Sequence, residues 1–204
     1  TARKAVAEFL KAHPNDSLWV RVNPLDSAEC DKDLAAVLPS HPHGIVLPKA
    51  EGGASVNELA RRLTERGNAT AKILAIATET PAAIFQLGTY GGVKRLAGLT
   101  WGAEDLPAAI GASTSRETDG SYTAPYELAG SLCLFGAAAA GVMPIETVYP
   151  AFKDAKGLAA YAARARRDGF AGMMAIHPDQ VPVINQAFTP SREEIAHAKA
   201  VVEA

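Results

Sequence analysis

A chain of 204 residues can bury one sizeable core, and nothing in its length calls for a second domain. Twenty basic residues against 22 acidic ones give a net charge of −2, and no Lys/Arg stripe tracks a phosphate backbone, so nucleic acid is not expected as a partner. With 48% apolar and 21% charged residues the chain is expected to fold rather than stay disordered, and its longest apolar run, around Leu132 to Val142, is shorter than the roughly 20 residues that cross a bilayer.

Taken in chain order, the first element is a helix over 1–10 (TARKAVAEFL), ahead of any strand. A short apolar strand over 17–23 (SLWVRVN) follows, then a helix over 31–38. The run 44–48 (GIVLP) reads as a strand before a helix over 55–66, and 72–78 (KILAIAT) as a strand before a helix over 81–90. Strands at 95–101 (RLAGLTW), 142–148 (VMPIETV) and 172–177 (GMMAIH) alternate with helices at 126–140, 158–168 and 192–203. Cys30 and Cys133 stand far apart with no CxxC or Cys/His cluster, which makes a reducing cytoplasm the expected compartment.

Six strands alternating with helices argue for parallel strands joined by crossovers, in a doubly wound sheet or a (β/α)8 barrel. No GxGxxG or GxxxxGK[ST] follows any strand, so nucleotide binding loses weight. In a βα barrel, chemistry gathers where strands end. Several strands here end in polar residues: Arg21 before Asn23 and Pro24, Lys49 and Glu51 after Pro48, Glu79 after Thr78, Glu104 and Asp105 after Gly102, and His177 after Ile176.

Each has an ordinary explanation as a helix cap or a solvated loop charge. Lys49 and Glu51 fit that explanation well. Glu79 fits it poorly, because Thr80 is the better cap and Pro81 suits the first helical position. Arg21, inside an apolar run, needs an anionic partner, either a structural carboxylate or a substrate. Glu79 and Asp105 form a carboxylate pair of the kind that holds Mg²⁺ while leaving positions for water and substrate oxygens. A thiolate or imidazole site is disfavoured; His41 and His43 lie in a loop, and His177 either touches the pocket or bonds to backbone.

Five stretches in series, Arg21-Val22-Asn23-Pro24-Leu25, Leu47-Pro48-Lys49-Ala50-Glu51, Ala77-Thr78-Glu79-Thr80-Pro81, Leu99 through Leu106 (LTWGAEDL) and Gly169-Phe170-Ala171-Gly172 with Ile176-His177-Pro178, resemble the citrate lyase β-subunit-like branch of the HpcH/HpaI aldolase superfamily. The resemblance covers nearly the whole chain. It implies a TIM barrel entered at its third strand, so that 1–204 is a single partial domain holding strands three to eight, with strands one and two and a C-terminal extension absent.

It further implies a Mg²⁺-dependent carbon–carbon lyase that splits or forms a 3-hydroxyacyl-CoA such as malyl-, citramalyl- or citryl-CoA, with acetyl-CoA and a 2-oxo acid as the other side of the reaction. Glu79 and Asp105 become the Mg²⁺ ligands and Arg21 the contact for the substrate carboxylate. Glu79, Gly102 and Ala103 join Arg21 around the substrate, and a cytoplasmic homo-oligomer, trimer or hexamer, is expected. The alternatives are a CoA-independent class II aldolase of hydroxy-oxo diacids and a non-catalytic paralogue that binds a CoA ester. One departure concerns substrate choice: Met173 stands where relatives commonly have Lys after the glycine of the GFxG motif.

Overall fold

The computed structural model describes residues 2–203. The chain divides into two compact units, one running to Pro144 and the other starting at Ile145.

The first unit carries four parallel strands, β1 (Trp19–Arg21), β2 (Gly44–Leu47), β3 (Lys72–Ile76) and β4 (Leu96–Thr100). Each pairs with the next, as in Arg21↔Val46, Leu47↔Ala75 and Ile76↔Thr100. All four residues of β2 are buried, as an unbroken apolar run in a parallel sheet requires. The helices are α1 (Ala2–Ala12), α2 (Cys30–Val37), α3 (Gly53–Glu65), α4 (Pro81–Ile84), α5 (Leu106–Ile110) and α6 (Ala124–Ala140). Val56, Leu59 and Leu63 recur on one face of α3 and are fully buried, each worth roughly 1.5–3 kcal/mol. The opposite face is charged, with the Glu58 carboxylate taking hydrogen bonds from Arg61 and Arg62.

β5 (Met143–Glu146), whose last two residues open the second unit, pairs there in parallel with β6 (Gly172–Met173) through Ile145↔Gly172 and Glu146↔Met173. α7 (Ala155–Asp168) packs on α8 (Gln180–Phe188), and α9 (Arg192–Val202) follows. Asp154 caps α7 by accepting the Gly157 amide proton at 2.9 Å. Ser191 and Glu194 form a capping box at the start of α9. Met173 is in register with the buried Glu146, which accepts from the Tyr161 hydroxyl and the Thr147 amide.

All six expected strands form, shorter at their ends than the apolar runs. The helix expected over 81–90 does not run through: α4 stops at Ile84 and a 3₁₀ turn, Leu87–Tyr90, follows. Gly88 and Thr89 are weak helix formers, and the Thr89 and Tyr90 hydroxyls are committed to the amides of Gly53 and Gly52. No helix among the described residues is long and apolar enough to cross a membrane.

Candidate active site

The acidic pair lies in the first unit, where β3 and β4 end. The pairing of these strands continues past their last residues, with the Ala77 amide donating to the Thr100 carbonyl at 2.8 Å. The buried Thr78 hydroxyl then accepts the Gly102 amide proton at 3.0 Å, which ties the two exit loops together. Glu79 comes next and is only 7% exposed. Thr80 caps α4, its hydroxyl accepting from the Ala83 amide, and Pro81 opens the helix. The Glu79 carboxylate therefore has no capping duty.

Glu79 Oε2 instead accepts the Lys49 amide proton at 2.5 Å. Burial raises the Glu79 pKa, the Lys49 amide partly offsets the rise, and the neighbouring Asp105 carboxylate adds to it. A Cβ at Gly102 would lie 2.4 Å from Glu79 Cγ, so only glycine leaves room for the carboxylate there. Ala103 beside it is buried. Asp105 precedes α5 without accepting a side-chain bond from it, and its Oδ1 lies 3.8 Å from Lys49 Nζ. Glu104 turns toward another cation, with Oε1 3.6 Å from the Arg116 guanidinium, which stacks over the Tyr122 ring.

Arg21 is exposed at the end of β1. It is in register with Val46 and, through it, with Leu74, so it lies on the sheet face of Ile76, the residue whose Cγ2 flanks Gly102. Just beyond it, the Asn23 amide and side chain both donate to Asp33, which also takes a hydrogen bond from Arg3. That network fixes the chain where it leaves β1. No hydrogen bond or ion pair joins Arg21 to Glu79 or Asp105.

The structure thus brings Glu79, Asp105, Gly102 and Ala103 together and sets Arg21 on the same face. Lys49 joins them, although its sequence position reads as a solvated loop charge. Its contribution comes through a backbone amide, which every residue except proline has, and through a left-handed backbone (φ 51°) that nothing in its side chain announces. The other loop charge, Glu51, is exposed and takes a hydrogen bond from the Thr80 hydroxyl at 2.6 Å. His177 bonds to backbone, its Nδ1 accepting the Asp179 amide proton at 3.2 Å, while its half-exposed ring stacks on Phe152. Among the described residues no cluster of three or more His, Cys, Asp or Glu side chains is arranged to hold a metal, so the ligands on offer are two carboxylates.

Parallel strands joined by helices, with a carboxylate pair where two adjacent strands end, define an α/β protein with an acidic site at its strand ends. The chain belongs to the HpcH/HpaI aldolase/citrate lyase family, whose model matches residues 1–178. It is similar to a citrate lyase subunit beta-like protein of Mycobacterium tuberculosis, 36% identical over 91% of this chain and 64% of the relative. It is also similar to a (3S)-malyl-CoA thioesterase of Cereibacter sphaeroides, 31% identical over 91% of this chain and 61% of the relative. The chain therefore spans under two thirds of the length of these relatives. A solved structure of CitE from Mycobacterium tuberculosis, in complex with magnesium, acetoacetate and coenzyme A, is similar with a TM-score of 0.81 and 32% identity, over 97% of this chain and 71% of that one.

Proposed function

We propose that the protein containing this chain is a Mg²⁺-dependent lyase that breaks or makes the carbon–carbon bond of a 3-hydroxyacyl-CoA, with acetyl-CoA and a 2-oxo acid on the other side. On this reading 1–204 is part of one (β/α)8 barrel. The observation that carries it is the convergence of Glu79 and Asp105 at the ends of adjacent strands, with Glu79 held against Gly102 where a Cβ would collide. Two carboxylates with no thiolate or imidazole beside them are a hard-cation donor set, and Mg²⁺ characteristically takes one or two such ligands and keeps its other positions for water and substrate. The residues present fit the ion.

When bound, Mg²⁺ supplies Lewis-acid polarisation of the substrate oxygens that the chain itself lacks. The residues of the chain do the positioning. The Lys49 amide and the Gly102 cradle keep the Glu79 carboxylate in one orientation. Arg21 presents a planar fork that grips a substrate carboxylate by two parallel hydrogen bonds. Gly102 and Ala103, being small, let that carboxylate approach the backbone. The bond between the hydroxyl-bearing carbon and the CoA-bearing fragment breaks as the hydroxyl loses its proton. Its electron pair passes to the thioester as an enolate, which takes up a proton to give acetyl-CoA.

A second reading, thioester hydrolysis, is favoured by the malyl-CoA thioesterase relative alone. One assay separates them. The full-length protein is given Mg²⁺ and either malyl-, citramalyl- or citryl-CoA or a CoA-free hydroxy-oxo diacid, and both free 2-oxo acid and free CoA are followed. Release of a 2-oxo acid with acetyl-CoA is the expected result. Free CoA without a 2-oxo acid makes the protein a thioesterase, and cleavage of only a CoA-free hydroxy-oxo acid makes it an aldolase. Glu79→Ala and Asp105→Ala should each lower kcat/KM by at least about 100-fold, the loss of roughly 2.7 kcal/mol of transition-state stabilisation. Arg21→Lys should act mainly on KM, since it keeps the charge and loses the fork.

A further inference from the structure

The loop between β2 and α3 is held from a distance by the 3₁₀ turn Leu87–Tyr90. Tyr90 is 1% exposed, and its hydroxyl donates to the Ala50 carbonyl at 3.2 Å and accepts the Gly52 amide proton at 3.1 Å. Beside it, the Thr89 hydroxyl accepts the Gly53 amide proton at 2.9 Å. A third tie runs from the Ala50 amide to the Ile76 carbonyl at the end of β3. These bonds hold the chain directly after Lys49, a residue with a side chain at φ 51°, a left-handed conformation that L-residues seldom adopt. Left to itself the backbone would relax from that conformation, and the amide aimed at Glu79 Oε2 would turn away.

We infer that Tyr90 is a positioning residue for the acidic site. Its buried hydroxyl fixes the Ala50–Gly52 backbone, which keeps Lys49 left-handed and its amide proton on Glu79. Tyr90 touches neither carboxylate and acts only through this backbone relay. The inference rests on the reading of Glu79 as a Mg²⁺ ligand for its functional consequence, while the relay itself stands on hydrogen bonds that need no metal. Tyr90 lies 11 residues after Glu79 in sequence, on the far side of α4, and no sequence motif marks it.

The test uses Tyr90→Phe in the full-length protein, which keeps the ring and removes both hydroxyl bonds. The first readout is the Lys49 amide proton resonance without metal. A short bond to a carboxylate holds it downfield in the wild type, and Glu79→Ala defines its position when that bond is lost. Tyr90→Phe should move it at least half of the way to that reference. The second readout is the Mg²⁺ dissociation constant by titration calorimetry, without substrate and well below the unfolding temperature. It should weaken by about tenfold, the low end of what loss of an outer hydrogen-bond partner costs a metal site. A purely structural hydroxyl would lower the unfolding temperature and move neither readout.

An unmoved Lys49 resonance overturns the relay. A moved resonance with Mg²⁺ affinity within twofold of wild type overturns the functional role. If the wild-type protein binds no Mg²⁺, the metal reading of Glu79 fails instead, and the Lys49 resonance alone decides whether Tyr90 sets the Lys49 amide.

Discussion

Glu79 answers to two opposing demands. Burial, together with the nearby Asp105 carboxylate, holds its pKa above the usual range, while the Lys49 amide favours the charged form. In the metal-free protein a raised pKa means that the folded state keeps a proton the unfolded chain has lost. Its stabilising effect is therefore fully present below the ordinary glutamate range and is lost as pH rises through the raised value. Glu79→Gln keeps an acceptor for the Lys49 amide and removes the charge. The metal-free variant should therefore unfold at a higher temperature than wild type near neutral pH, with the gap closing toward about pH 4, where both side chains are uncharged. A gap that stays constant with pH, measured by thermal unfolding, contradicts this account. The sequence already pointed to Glu79 as free for chemistry, because Thr80 and Pro81 take over the start of α4. It did not point to Lys49, whose part is played by a backbone amide in a left-handed turn.

At the scale of elements, α3 shows how a site gains a rigid support. Its apolar face of Val56, Leu59 and Leu63 is buried without exposure, while Gly52 and Gly53 at its start carry the amides that the Tyr90 and Thr89 hydroxyls bind. Leu59→Ala should cost about 2–5 kcal/mol in denaturant unfolding, because it deletes buried volume in a close-packed face. A loss under about 0.5 kcal/mol, the level of an ordinary surface change, would show that this face is not packed as described.

The strands were legible because each is a short apolar run bounded by Gly, Pro or polar residues, and the helical composition of the segments between them marked α3 and α7. α5 and α8 were not legible. α5 has five residues with a proline second, and α8 carries Pro182 within its first turn beside the β-branched Val181 and Val183. Both sequences look like loops until tertiary packing selects the helix. The Tyr90 relay was hidden for another reason: its partners lie 38 and 40 residues away, and spacing along the chain says nothing about contacts at that range.

For the whole molecule, membership of the HpcH/HpaI aldolase/citrate lyase family and likeness to a magnesium-bound CitE structure make the acidic pair the natural centre of the account. A net charge of −2 over these 204 residues gives no long-range attraction for an anion, so on the proposed reading a CoA ester would be recognised locally. Arg21 and a cation between Glu79 and Asp105 would provide it.

The most direct test is a crystal structure of the full-length protein with Mg²⁺ and a 2-oxo acid. Carboxylate oxygens of both Glu79 and Asp105 should lie at about 2.0–2.1 Å from the ion. The guanidinium of Arg21 should be paired with the carboxylate of the bound acid. A Mg²⁺ ion bound elsewhere, or bound with neither Glu79 nor Asp105 as a direct ligand, would contradict it.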